Sequence, residues 1–132
     1  MISTKGRYGL RVMIDLAKND CGKYIPLKDI AERQNISKKY LEIIVKKMVE
    51  GKLVKASSGK GGGYKLIKKP EEYSVGEIIT LMEGSISSVT CLADKDFGCP
   101  REKQCETLPL WIEFDSIIHD FLFNKKLSDL IN

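Results

Sequence analysis

Histidine occurs once in this 132-residue chain, tryptophan once and proline four times. With His119 alone, no Ser or Cys sits beside an evident general base, so little is available to build a catalytic site and an enzyme is not expected. No apolar stretch approaches the ~18 uninterrupted residues of a membrane-spanning helix, so no membrane partner is expected. The opening MISTKGRYGLRVMIDLAK spreads basic residues through its apolar positions and lacks both the apolar core and the small-residue cleavage site of a secretory signal. Four cysteines without such a signal suit a reducing compartment, and the expected location is the cytoplasm. Internal repeats and low-complexity segments are also missing, which leaves one ordinary domain with an appendage.

Charge is plentiful and unevenly placed. The totals, 22 Lys+Arg against 18 Asp+Glu, give a net of only +4. Residues 1–70 hold 17 basic and 6 acidic residues, whereas residues 71–132 hold 5 basic and 12 acidic ones. A basic half joined to an acidic half points to nucleic-acid contact by the first, against the plainer reading of a well-solvated surface.

Periodicity predicts a helix over 5–18, with Tyr8, Val12, Met13, Leu16 and Ala17 at helical spacing and Ser3 or Thr4 as cap. Pro26 opens a short helix over 27–34, in its first turn. Asn35-Ile36-Ser37 is a tight turn, and Ser37 caps a third helix running to Glu50, with Leu41, Ile44, Val45 and Met48 inward and Gly51 as its C-cap. Two short helices joined by three residues in a basic segment form a helix-turn-helix. Strands over 53–57 and 64–67 then flank the turn Ser58-Gly59-Lys60-Gly61-Gly62-Gly63. A helix-turn-helix followed by a hairpin is a winged helix. The expected class is mainly α with a small β-hairpin wing, divided into a DNA-binding domain over 1–70 and a sensing and dimerisation region over 71–132. In the second region a short helix spans 75–82, and an amphipathic helix over 110–123 carries Trp111, Phe114, Ile117, Ile118, Phe121 and Leu122. That payload suits a dimerisation helix better than the closing of a monomer core.

The second helix of such a motif lays its N-terminal part in the major groove. Here that part offers Ser37, Lys38, Lys39, Tyr40 and Glu42, with Lys46 and Lys47 a turn further on. The lysines and Tyr40 position phosphates. Glu42 either accepts from a cytosine amino group or pairs with Lys46 four residues on. Gly59 and Lys60 form the wing tip. The GKGGGY segment is not a phosphate loop, because its Lys precedes the glycines and a strand follows.

Cys91, Cys99 and Cys105 are spaced C-x7-C-x5-C, while Cys21 stands apart. The spacing does not match the paired thiols of structural zinc sites. Three thiolates in one loop suit an iron–sulfur cluster, of the 2Fe–2S more than the 4Fe–4S type, with a fourth ligand not evident. Asp94, Asp96, Glu102, Glu106 and a residue of a second subunit are the candidates, and His119 is more naturally a helix-surface or interface residue. The alternative is a redox disulfide with one spare thiol.

Together STKGRYGLR, IAERQNISKKYLE, GKGGGYKL and three cysteines before a Trp-bearing helix resemble the Rrf2 family of bacterial regulators over almost the whole chain. The resemblance implies a homodimeric winged-helix transcription factor whose last long helix crosses its partner's; two reading helices in successive major grooves then call for a roughly palindromic duplex, and a repressor is expected. It implies DNA contacts by Ser37, Lys39, Tyr40 and Glu42 and by Gly59 and Lys60 at the wing. The chain departs from the family's iron–sulfur-regulator branch at Ser58, where an Arg precedes the wing glycines, at Ile43, where a Gln is common, and at Leu108, where a His completes the cluster. Relatives that sense nitric oxide use an Asp where this chain has Arg7. The cysteine-metabolism branch binds no cluster. It supplies the alternative of a thiol switch or a metabolic-enzyme partner, and a cluster carrier or scaffold is the alternative of another class.

Overall fold

The computed structural model describes residues 2–89, 92 and 105–131. Ser3 accepts from the Lys5 amide through its side chain and starts α1, Thr4–Lys18. Val12, Met13 and Leu16 of α1 are buried. Helix α2, Leu27–Gln34, follows Pro26, which occupies the cap position just outside the helix, one step earlier than its expected place in the first turn. Helix α3, Lys38–Glu50, starts at Ser37, whose hydroxyl accepts from the Tyr40 amide at 3.2 Å. Strands β1, Val54–Ser57, and β2, Gly63–Leu66, pair antiparallel with Val54 opposite Leu66 and Ser57 opposite Gly63. Helix α4 spans Val75–Glu83, and α5 spans Leu108–Asn124. Short 3-10 turns at Pro70–Glu72 and Leu127–Leu130 complete the described elements. The expected mainly-α winged-helix class is the one observed.

Helix α5 starts two residues earlier than its apolar pattern suggests, because Pro109 fits a first helical turn. Gly51 is the C-cap of α3, as expected, and the residue after it carries the left-handed turn. Gly51 has an ordinary φ of −83°, and the left-handed residue is Lys52 at φ 60°. The Lys52 amide bonds to the Val49 carbonyl and the Leu53 amide to the Met48 carbonyl, which is the Schellman ending with a lysine in the usual glycine place. Gly51 is small for another reason: a Cβ there would lie 2.6 Å from Leu81 of α4.

One core crosses the boundary between the basic and acidic halves. Met13, Leu16, Ile30, Leu41, Ile44 and Met48 join Tyr73, Ile78, Met82 and Leu127 in a single cluster. Gly9 lets α1 close on α4, since a Cβ would lie 2.6 Å from Met82. A capping box between Ser74 and Glu77 fixes the start of α4. At the other end of α4, Glu83 reaches the start of α1 and accepts from the Ser3 amide, the Ser3 hydroxyl and the Gly6 amide, each at 2.7–2.8 Å. Burial pushes the Glu83 carboxyl up, but these hydrogen bonds outweigh it and hold the group below its ordinary value.

Tyr73 is fully buried and organises the base of the hairpin. Its hydroxyl donates to the Leu53 carbonyl at 2.6 Å and accepts from the Ile67 and Lys68 amides at 3.0 Å. The chain end returns to the same place, where Leu127 donates to the Tyr73 carbonyl and Val75 to the Lys125 carbonyl.

Candidate nucleic-acid interface

The geometry of the helix-turn-helix is set by a polar clasp between α1 and α2. Asp15 lies on the inward stripe of α1 and is 2% exposed. Arg33 of α2 meets it with two bonds, Nε to Oδ2 at 3.0 Å and Nη2 to Oδ1 at 2.8 Å, and Gln34 adds a third at 2.9 Å. A buried carboxylate needs such partners, and the planar guanidinium supplies a matched pair of donors. The bond to Asp15 raises the Arg33 pKa above its ordinary value, against the opposing effect of burial. Arg11 extends the clasp, donating to the Gln34 side chain at 3.1 Å and to the Gln34 carbonyl at the end of α2. Asn35 then turns the chain at φ 54°, and Ile36 plugs into the core before Ser37 begins α3. Sequence reasoning missed this clasp. The signal was a carboxylate among the apolar positions Val12, Met13 and Leu16; nothing in the sequence named Arg33 as its partner.

Along α3 the inward positions Leu41, Ile44, Val45 and Met48 are buried. One flank is also committed. Tyr40 is half-buried with its ring edge-on to Tyr8 at 5.7 Å, and Arg11 lies over the Tyr8 ring at 5.1 Å. Lys47 donates to the Met82 carbonyl at 3.2 Å, capping the end of α4. Ser37, Lys38, Lys39, Glu42, Ile43 and Lys46 remain exposed. Glu42 makes no ion pair with Lys46 among the described residues, so the local pairing read as its alternative role is not formed. Of the residues singled out on α3, Ser37, Lys38, Lys39 and Glu42 thus share the open surface, while Tyr40 divides itself between that surface and α1.

The hairpin tip is a compact glycine turn. Gly59 and Gly61 have φ near 80°, with open space where a Cβ would point, and Lys60 between them is exposed. Gly63 is a different case. Its φ is 146°, and a Cβ would lie 2.2 Å from the Ile25 carbonyl oxygen. That closeness lets Ile25 and Tyr64 exchange two 2.9 Å backbone bonds, tying the wing to the segment that leads into α2. The tip is therefore presented from a hairpin fixed at both ends, by Ile25 on one side and by Tyr73 on the other.

Cys91 and Cys99 of the candidate metal set lie outside the described residues. Cys105 is half-buried just ahead of α5, with Sγ 3.4 Å from the Thr107 hydroxyl. No group of three or more metal-ligating side chains comes together among the described residues. No helix among them is long and apolar enough to cross a membrane.

Known proteins place this architecture. A family model described as an iron-dependent transcriptional regulator, Rrf2, matches residues 2–132. The HTH-type transcriptional regulator IscR of Erwinia tasmaniensis is 37% identical over 131 residues, covering 99% of this chain and 78% of that protein. Among solved structures, CymR of B. subtilis, the global cysteine regulator, superimposes with a TM-score of 0.77 at 38% identity, covering 98% of this chain and 95% of that one. T. potens IscR gives a TM-score of 0.76 at 33% identity, covering 98% and 85%. These relatives are transcriptional regulators, and in helix-turn-helix proteins the second helix of the motif lies in the major groove. The chain belongs to the Rrf2 family of winged-helix transcriptional regulators.

Proposed function

We propose that this protein is a sequence-specific DNA-binding homodimer. In it residues 1–70 face the duplex, and residues 71–132 face the twin subunit and the signal. The observation that carries the reading is the open edge of α3. Its capped N-terminus and the side chains of Lys38, Lys39 and Glu42 point outward, free of partners within the protomer. Lys38, Lys39 and Lys60 contact phosphates, Ser37 and Tyr40 contact the backbone beside them, and Glu42 accepts from a cytosine amino group. Gly59 lets the wing backbone approach the duplex. A dimer would set two α3 helices in successive major grooves about 34 Å apart, on a palindromic site, and repress by occupying it.

The regulatory part of the proposal rests on donor chemistry. Cys91, Cys99 and Cys105 would hold an iron–sulfur cluster of the 2Fe–2S type, supplying a one-electron, oxygen-sensitive centre next to α5. Cys105, the member of that set among the described residues, lies just ahead of α5 with its Sγ 3.4 Å from the Thr107 hydroxyl. The likeness to CymR favours a second reading, in which the same cysteines act as a thiol switch without a cluster.

Selecting bound duplexes from a random pool tests the DNA reading. Enrichment of a palindromic sequence is the expected result, and no preference over random duplex would sink it. Lys39→Ala should weaken binding to all sequences and reduce the salt slope by about one. Anaerobic reconstitution with iron and sulfide decides between the regulatory readings. A coloured protein whose cluster is lost in Cys99→Ala supports the cluster, and a colourless, iron-free product leaves the thiol switch.

A further inference from the structure

Among the outward positions of α3, one side chain carries no charge and no hydrogen-bonding group. Ile43 is 52% exposed, flanked by Glu42 and by Lys39 and Lys46 one turn away on either side. It adds nothing to the core, which takes Leu41, Ile44, Val45 and Met48 from the same helix. Helix propensity does not explain it either, because a β-branched residue is a poorer helix former than the lysines around it. At about 100° per residue, Lys39, Ile43 and Lys46 fall within roughly 60° of one another around the helix. Whatever covers Lys39 and Lys46 also covers Ile43.

An isolated exposed apolar residue is ordinary on a protein surface. This one differs in its neighbours. Lysines on both sides select a polyanion as the occupant and disfavour an oily protein partner, so the surface commits to duplex DNA. The major-groove floor presents hydrogen-bonding edges and one kind of apolar group, the C5-methyl of thymine. Set against a cytosine, guanine or adenine edge, the Ile43 side chain would displace water from polar atoms and leave them unpaired. Set against a thymine methyl, it buries apolar surface on both partners.

We propose that Ile43 is a specificity-determining residue that contacts the C5-methyl of a thymine within a base pair or two of the base read by Glu42. The assignment rests on the DNA reading given under Proposed function. Its contribution combines attraction to thymine with exclusion of the other bases, so it sharpens sequence preference more than it adds affinity.

Deoxyuridine tests this, because it keeps the hydrogen-bonding edge of thymidine and lacks only the methyl. With the full chain, duplexes are first selected from a random pool. Each thymine of the selected half-site is then replaced singly by deoxyuridine, and Kd is measured for wild type, Ile43→Ala and Ile43→Val at one salt concentration. One thymine per half-site should show about a fourfold loss for wild type, the worth of one buried methyl-sized group. The same replacement should change Ile43→Ala binding by less than about 1.5-fold, with Ile43→Val between the two, because the two changes remove a single contact. Circular dichroism melts should superimpose, the side chain being outside the core. Equal uracil sensitivity of wild type and Ile43→Ala at every position, or a selected site without a required thymine, would overturn the assignment and leave the DNA reading standing. No enriched sequence at all would remove the DNA reading and the assignment with it.

Discussion

Helices α3 and α5 both carry a row of apolar residues, and they place it in opposite ways. In α3 the apolar residues Leu41, Ile44, Val45 and Met48 are buried inside the protomer, and the exposed side is charged apart from Ile43. In α5 none of the seventeen residues is buried. Leu110, Ile112, Phe114, Ile117 and Phe121 are all more than 40% exposed, and Ile117 reaches 61%. The helix is about 25 Å long. It is secured towards its C-terminal end, where Phe123 lies on Gly76 of α4 and stacks on His119, and where the chain beyond it bonds back to Tyr73 and Val75. Such a row of exposed apolar side chains is the face that the proposed dimer would cover. The contrast separates two roles: α3 buries its apolar face within the protomer, whereas among the described residues α5 leaves its apolar face open to the second subunit of the proposed dimer.

The largest expected effect comes from putting the same charge into both helices. Ile44→Asp buries an unpaired carboxylate in the core and should cost more than about 4 kcal/mol, enough to unfold a domain of this size. Ile117→Asp should leave the protomer folded, with a normal thermal melt, while sedimentation shifts from dimer to monomer and affinity for a palindromic duplex falls steeply. Unfolding of Ile117→Asp, or a dimer that survives it, would erase the distinction between the two helices.

The junction between the halves tests how far the wing depends on the acidic half. Tyr73→Phe deletes the hydroxyl that serves the Leu53 carbonyl and the Ile67 and Lys68 amides. Leaving buried backbone groups unpaired should cost about 1–3 kcal/mol in urea unfolding. Amide exchange at Ile67 and Lys68 should accelerate beyond what global unfolding explains. Uniform acceleration across α1 to α4 would mean that Tyr73 stabilises the core in general and does not hold the wing in particular.

How much of this was readable beforehand follows the range of the interactions. The helix-turn-helix, its Ser37 cap and the glycine hairpin were legible because each depends on residues a few positions apart. The open edge of α3 was legible for the same reason. The clasp of Asp15 with Arg33, the reach of Glu83 to Ser3 and the three bonds of Tyr73 were not, because each joins residues distant in sequence whose pairing depends on the final packing. Lys47 counted as one more cation near the DNA edge, and its bond to Met82 redirects it to the protein interior side. Ile43 stands in the sequence only as a departure from the family pattern; its significance lies in its exposure, which periodicity places but does not measure.

A smaller effect is expected from Glu83, where α4 grips the start of α1. Its folded pKa is lowered, so its contribution to stability is present above the ordinary carboxylate pKa and is lost as pH falls through the lowered value. Glu83→Gln should therefore lower the urea midpoint modestly at pH 7, and the difference from wild type should shrink between about pH 5 and pH 3. A difference that stays constant over that range would assign the loss to packing of the side chain and not to its charge.

The smallest effect has the opposite sign. Lys52 closes α3 in a left-handed conformation at φ 60°, which costs a residue with a Cβ about 1–2 kcal/mol. Glycine removes that cost and gives back part of the gain through the greater freedom of the unfolded chain. Lys52→Gly should thus stabilise the protein by about 0.5 kcal/mol, read as a higher urea midpoint at unchanged slope. Lys52→Ala is the control, since it deletes the same charge and keeps the Cβ. If both variants gain equally, relief of repulsion among neighbouring lysines is responsible. If only the glycine gains, the strain belongs to the backbone that joins α3 to the hairpin.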